Sequence, residues 1–273
     1  MADQRRRDRR RQFSDVVRQL SEAFARGFGL LGEAMSAMYE LKWPIHGALD
    51  VADAGYIVRT YQAQDKDKAR CLIEEYLLEQ KYDEKHLRLM VAGWQGKKWL
   101  SRRIPALRQA VEAHIAGSYW VSIPTMLPHI EGMILERHGH QKGRVPFREL
   151  KRYAESMLSS TSIERALLQY LIEEVLHEWE HGDEVILSLN RHSVLHGADL
   201  EYGTAANSLK TILVIDFLQD NLMRLVAFPS GDCYHAIGCS RVSLARTDLQ
   251  FFGHYREARF AGKKPCKLCR PPA

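Results

Sequence analysis

The sequence predicts a mainly α protein: a helical body followed by a small α+β tail. Three observations carry this prediction. Apolar residues recur at three- and four-residue spacing through most of the 273 residues, the period of a helix with one buried face. A turn-forming cluster, Phe228-Pro229-Ser230-Gly231-Asp232, closes that pattern. Beyond it lie four of the five cysteines, Cys233, Cys239, Cys266 and Cys269, in a basic segment too short to build a core of its own. With 45% apolar and 27% charged residues the composition is globular rather than disordered or collagen-like.

The elements follow in order. Phe13, Val16, Val17, Leu20, Phe24 and Phe28 mark a first helix, behind an arginine-rich arm at residues 1–11. Trp43-Pro44 interrupts the pattern, because the residue before proline is pushed out of the α region. Leu72, Tyr76 and Leu77 make a second helix, in which Cys71 reads as a small core residue, and Leu107, Val111 and Ile115 a third. Ser122–Pro128 and Gly139–Pro146 read as punctuation. Ile163–Trp179 is the clearest helix, with Leu167, Leu168, Leu171, Val175 and Trp179 on one stripe. Val185–His196 is the next, stopped by Gly197, and Thr204 caps another over Ala205–Leu225. In the tail, Asp248–Phe252 reads as a strand and His254–Ala261 as a helix ended by Gly262. Trp94, Trp99 and Trp120 read as core or interface residues. The domains expected are 1–110, a helical region with the basic arm; 111–227, a helical bundle; and 232–273, the tail.

Charge divides the chain unevenly. The overall balance is +5, but residues 1–11 carry +4, residues 228–273 carry +5 and the body between them −4. Basic ends on an acidic body favour a polyanionic partner. The longest apolar run, Ile212–Leu218, is broken by Asp216, so no membrane span is expected. The positive N-terminus has no apolar run behind it, and the cysteines are gathered rather than spread, which fits a reducing, cytoplasmic setting better than secretion.

His235, Cys239, Cys266 and Cys269 form the pattern H-x3-C-x26-C-x2-C. A C-x2-C turn brings two thiolates to one ion, and a second closely spaced pair completes a tetrahedron, which points to zinc. With Tyr234-His235, Phe251-Phe252, Ala258, Gly262 and Pro265–Pro271 around it, this segment resembles the zinc-binding domain of the Ada DNA-repair proteins. In those enzymes the first ligand is a cysteine that accepts a methyl group. His235 stands there in this chain and cannot act as a thiolate nucleophile, so the resemblance implies zinc without methyl transfer. Four protein ligands make a closed, structural site. Lys263, Lys264, Lys267 and Arg270 surround the knuckle and are candidate nucleic-acid contacts; the alternative is an ordinary solvated basic face.

Two motifs compete in the body. His177-Glu178-Trp179-Glu180-His181 is a literal H-E-x-x-H, which on a helix presents two imidazoles to zinc with Glu178 as general base and Glu201 as third ligand. Against this zinc-protease reading stand Glu180, Asp183 and the helix-ending Gly182. The other motif is Asn190-Arg191-His192-Ser193-Val194-Leu195-His196, an R-x4-H. Followed by Tyr202-Gly203-Thr204 and Asn207–Lys210, and preceded by Pro124–Ile134, which with Leu127–Gly132 looks like an earlier helix of the bundle, it resembles the HEPN superfamily of helical nucleotide-binding and RNA-cleaving domains over about residues 110–225. That resemblance implies a metal-independent endoribonuclease working as a homodimer, as in toxins and phage-defence effectors. His196 would be general acid or base, Arg191 the phosphate clamp, His192 and Asn190 phosphate ligands and Glu131 a support for Arg191. The alternative on the same scaffold is a non-catalytic module binding nucleic acid or protein. The RNA target, the trigger and any inhibitory partner protein stay open.

Overall fold

Where each helix begins is decided by a few side chains that take up the first amide groups. Asp50 accepts from Ala52 and Asp53 while Asp53 answers its backbone N–H, a reciprocal capping box that starts α2 (Val51–Ala63). Asp83 caps α4 (Glu84–Gln95) through His86 N–H, and Thr161 with Glu164 repeats the capping box at α8 (Ser162–Tyr170). A computed structural model of the chain describes residues 27, 29–97, 100–138, 140, 143–158, 161–180, 189–221, 225–236, 239–242, 248–252 and 255–271. The remaining helices are α1 (29–40), α3 (Lys66–Glu75), α5 (Ile104–Ile115), α6 (Tyr119–His138), α7 (Phe147–Met157), α9 (Arg191–Leu195), α10 (Ala205–Asn221) and α11 (Tyr255–Phe260). π-helical turns extend α3 over Tyr76–Lys81 and α8 over Leu171–Val175. The expected first helix at 13–28, the arm at 1–11 and Trp99 fall outside the described residues, apart from Gly27.

The chain divides into two compact units, residues 1–41 with 47–73 and residues 42–46 with 74–273. The first is built on Ala34, Ala37, Met38 and Leu41 of α1 and the segment after it, packed with Ala54, Ile57 and Val58 of α2 and Ala69 and Ile73 of α3. Cys71 is exposed rather than in the core. Ala69 and Ile73, four apart, define the buried face of α3, and Cys71 lies between them on the opposite side.

In the second unit α6 packs against α5, α7, α9 and α10. The proline-marked stretch Ser122–Pro128 does not interrupt the chain: Pro124 and Pro128 both lie inside α6. A proline removes one amide from the helix ladder. The carbonyl that Pro124 leaves without a helical donor, that of Trp120, accepts from Tyr202 Oη at 3.3 Å. α10 is buried on nearly every face, and the acid that interrupts its apolar run is satisfied. Asp216 accepts from His46 Nε2 at 2.8 Å and Trp94 Nε1 at 2.5 Å, and His46 Nδ1 meets Tyr82 Oη at 3.0 Å. No described helix is long and apolar enough to cross a membrane.

The fold is therefore mainly α, with a small α+β region at its C-terminal end. α10 stops at Asn221, short of the expected Leu225, because Leu225–Ala227 is a buried strand, β1. With β2 (Cys233–Ala236), β3 (Gln250–Phe252) and β4 (Lys264–Pro265) it forms a sheet of order β3-β1-β2-β4, antiparallel except for β2 with β4. Val226 stands opposite both His235 and Phe251. The Phe228–Asp232 cluster is thus the turn of a hairpin inside the sheet rather than a linker ahead of it. Gly262, at φ +77°, ends α11 as expected: its N–H reaches Arg259 O and that of Lys263 reaches Ala258 O, a Schellman closure that requires a left-handed residue.

Candidate functional site

The R-x4-H segment is held at both ends. Asn190 is the N-cap of α9, its side-chain oxygen accepting Ser193 N–H at 2.9 Å, while its amide donates to His177 O at 2.9 Å. At the other end Gly197, φ +71°, closes the helix through Val194 O, and Ala198 N–H reaches Ser193 O. The predicted helix over Val185–His196 is reduced to Arg191–Leu195 among the described residues, since Asn190 is extended and residues 185–188 lie outside them.

α9 packs on α6, and the sequence-predicted partner is in place: Arg191 Nη1 lies 2.7 Å from Glu131 Oε2, with both side chains about one-fifth exposed. The same Nη1 is 3.4 Å from His192 Nε2. The His192 and His196 rings stack with centroids 5.9 Å apart and planes 15° from parallel. Helical spacing turns Arg191 and His196 about 140° apart, and His192 lies near both, its Nε2 by the guanidinium and its ring nearly parallel to the second imidazole. Glu131, Arg191, His192 and His196 are therefore a continuous array across two helices. Burial, and after it the Arg191 charge, holds His192 below the ordinary histidine value, against the pull of Glu131. Arg144, an exposed residue just before α7, adds to that lowering and so joins the site's charges. No spacing rule could have found it, because it arrives from a loop. Arg191 Nε is buried with no hydrogen-bond partner among the described residues, an N–H donor without an acceptor. Asn190 is placed differently from the expectation. It is 2% exposed and both ends of its amide are engaged, so it holds α9 and is not free for a phosphate.

The metal pattern in the tail converges. The ligand atoms of His235, Cys239, Cys266 and Cys269 all lie within 4.8 Å of one another, the first three buried and the last partly so. β2 delivers His235; the turn after it delivers Cys239, whose N–H bonds Ala236 O; the knuckle after β4 delivers the rest. Two features fit an ion between them. His235 Nδ1 is buried without a hydrogen-bond partner, as a ring kept for a metal would be. Leu268 N–H donates to Cys266 Sγ at 3.4 Å, a bond that favours thiolate. Burial, and after it the neighbouring Cys239 and Cys266, pushes the Cys269 thiol up to about 12 without a cation, and a cation would reverse that.

No family model matches the chain, and no curated protein or solved structure matches it.

The competing H-E-x-x-H does not sit on a helix in its described part. The π turn of α8 ends at Val175 and residues 177–180 are irregular; His181 lies outside the described residues. His177 is half-buried and its carbonyl serves Asn190. Among the described residues, His177 and Glu201 belong to no convergent metal-type cluster.

The basic residues of the tail divide. Lys263 Nζ donates to the carbonyls of Phe228, Pro229 and Gly231 at 3.2, 2.9 and 2.7 Å, so it pins the β1–β2 turn. Lys264, Lys267 and Arg270 are exposed. Lys267 and Arg270 border a shallow cleft of about 440 Å³ floored by Pro265, Cys266 and Pro271.

Proposed function

We propose that the protein is an endoribonuclease of the HEPN type, with a zinc-stabilised tail. The observation that carries this reading is the continuous Glu131–Arg191–His192–His196 array on α6 and α9. The reaction is internal transesterification of RNA. The 2′-oxygen attacks the adjacent phosphorus, the bond to the 5′-oxygen breaks, and a 2′,3′-cyclic phosphate forms. His196, exposed at the end of α9, takes the proton from the 2′-hydroxyl or returns one to the leaving oxygen. The Arg191 guanidinium, fixed on one side by Glu131, keeps further N–H groups for the phosphate oxygens. His192, kept largely neutral at pH 7 by burial beside Arg191, supplies a second imidazole of fixed orientation. The resemblance adds a second copy of the chain, so a homodimer belongs to the reading. In the tail, three cysteines and one histidine are a soft tetrahedral set suited to zinc, and a closed set of this kind stabilises a fold rather than activating water.

The test is incubation of the purified protein with end-labelled single-stranded RNA, followed by analysis of product ends. Cleavage leaving 2′,3′-cyclic phosphate, and falling by about 10²-fold or more in His196→Ala and Arg191→Ala, is the expected result. RNA binding without cleavage, unchanged by either substitution, would overturn the nuclease. It would favour the second reading, a non-catalytic binding module, which the packing role of Asn190 supports. Elemental analysis should give one zinc per chain, and light scattering the dimer.

A further inference from the structure

Trp120 is 52% exposed, at the start of α6. Of the core and interface places expected for it, exposure rules out the core, and the indole is seated at the surface. Its indole lies on the backbone of Gly203: a Cβ built there would fall 2.3 Å from the ring. No side chain fits in that gap, so glycine is required for close approach rather than for its φ. Tyr202 packs edge-on, ring centroids 4.7 Å apart at 62°, and its hydroxyl donates to the Trp120 carbonyl that Pro124 leaves without a helical donor. One face of the indole is thus covered and its position is set from two sides, while half the side chain remains open to solvent.

Its location matters as much as its exposure. Trp120 and Glu131 are eleven residues apart on one continuous helix. Eleven residues make three turns plus about 20°, so the two lie on one stripe about 16 Å apart. Pro124 and Pro128 fall on the same stripe, and all four are at least partly accessible. The stripe therefore runs from an open aromatic face to the carboxylate that grips Arg191, with no charged residue between.

We propose that Trp120 is a stacking platform for one base of single-stranded RNA, placed a few nucleotides from the phosphate held at Arg191. The proposal rests on the ribonuclease reading for its substrate. A rigid, one-sided aromatic surface accepts any base face without hydrogen-bond readout, so it supplies affinity and register rather than sequence preference. It also selects strandedness, because paired bases are not open to stacking. Tyr202 and Gly203 are positioning residues: they touch the indole, not the base.

The experiment uses the full chain carrying His196→Ala, so that RNA survives, and a fluorescein-labelled single-stranded 12-mer read by anisotropy. Trp120→Ala should weaken binding by about 5- to 150-fold, the range for loss of one stacked base, and Trp120→Phe should recover most of it. Gly203→Ala, which drives the indole off its seat while keeping it in the chain, should weaken binding in the same direction. The same 12-mer annealed to its complement should bind alike with and without Trp120. In the cleaving protein, Trp120→Ala should raise KM more than it lowers kcat. Unchanged affinity in Trp120→Ala overturns the proposal. So does a change of oligomeric state by light scattering in Trp120→Ala with RNA affinity intact, which would assign the surface to a protein partner. If the wild-type chain binds RNA through Trp120 but cleaves none, the stacking site stands and the nuclease reading falls. If it cleaves RNA and Trp120→Ala changes nothing, the reverse holds.

Discussion

His114 shows how one buried side chain ties stability to pH. It is 8% exposed; its Nδ1 sits 2.8 Å from Ser208 Oγ, and Ser208 donates onward to Ser122 at 2.9 Å. Ser208 gives its proton to Ser122 and so accepts from His114, which fixes the ring as the neutral Nδ1–H form. Burial pushes its pKa down to about 4. In the unfolded chain the ring takes a proton near 6.5. Below that value the unfolded state binds the proton more readily, so the stability due to neutral His114 is full above pH 6.5. It is lost progressively as pH falls towards 4, at about 1.4 kcal/mol per unit. Urea unfolding at pH 7 and pH 5 should show the wild type losing about 2 kcal/mol more over that interval than His114→Asn; equal losses would remove His114 as the source. Glu131 is the other residue whose role can be read alone. Glu131→Gln keeps a hydrogen-bond acceptor for Arg191 but removes the charge. It should cost about 1 kcal/mol of stability in a thermal melt and, on the ribonuclease reading, lower cleavage by loosening Arg191.

At the scale of an element, α9 depends on its ends. Five residues cannot hold a helix by propensity, so Asn190 and Gly197 carry much of the order of the R-x4-H segment. Asn190→Ala loses the cap and the bond to His177 O together and should destabilise the chain by about 1–3 kcal/mol in chemical denaturation. Asn190→Asp keeps the acceptor that caps Ser193 and should recover most of the cap; if Asp is no better than Ala, the cap is not what matters. The helix ends were legible in the sequence for this reason: Thr204, Gly197 and Gly262 act on groups within a few residues, and local chemistry leaves a local pattern. The metal ligands were legible for the same reason, because C-x2-C and H-x3-C are local spacings. Long-range satisfaction was not. Pro124 reads as a break until Tyr202 is seen donating to the carbonyl it leaves bare, and Asp216 reads as a flaw in an apolar run until His46 and Trp94 arrive from far along the chain. Lys263 reads as a solvated cation, yet three carbonyls of a distant turn claim it. The Arg191–Glu131 pair was reached only because a resemblance named both residues together.

For the second unit as a whole, the tail and the bundle are not separate bodies. The buried tail core is small: Leu225, Val226, Ala227, Tyr234, Tyr255 and Ala258, with the ligand cluster beside it. A core of that size would gain much of its stability from an ion held by the cluster. α11 lies next to this core, and its Glu257 is among the charges that oppose the burial of Arg137, a 2% exposed guanidinium at the end of α6 held down to about 10. α6 is also the helix that carries Glu131 and Trp120. Losing the ion should therefore do two things in sequence. The tail should open first, so that trypsin cuts rapidly after Lys263 and Lys267 while far-ultraviolet dichroism still reports helix. The bundle should then melt at a lower temperature, because Arg137 keeps its burial and loses Glu257. Cys266→Ser should reproduce both effects without chelator, and Glu257→Gln should lower the melting temperature while leaving the tail resistant to trypsin. Tail cleavage with no shift in the bundle's melting temperature would show that the ion stabilises the tail alone.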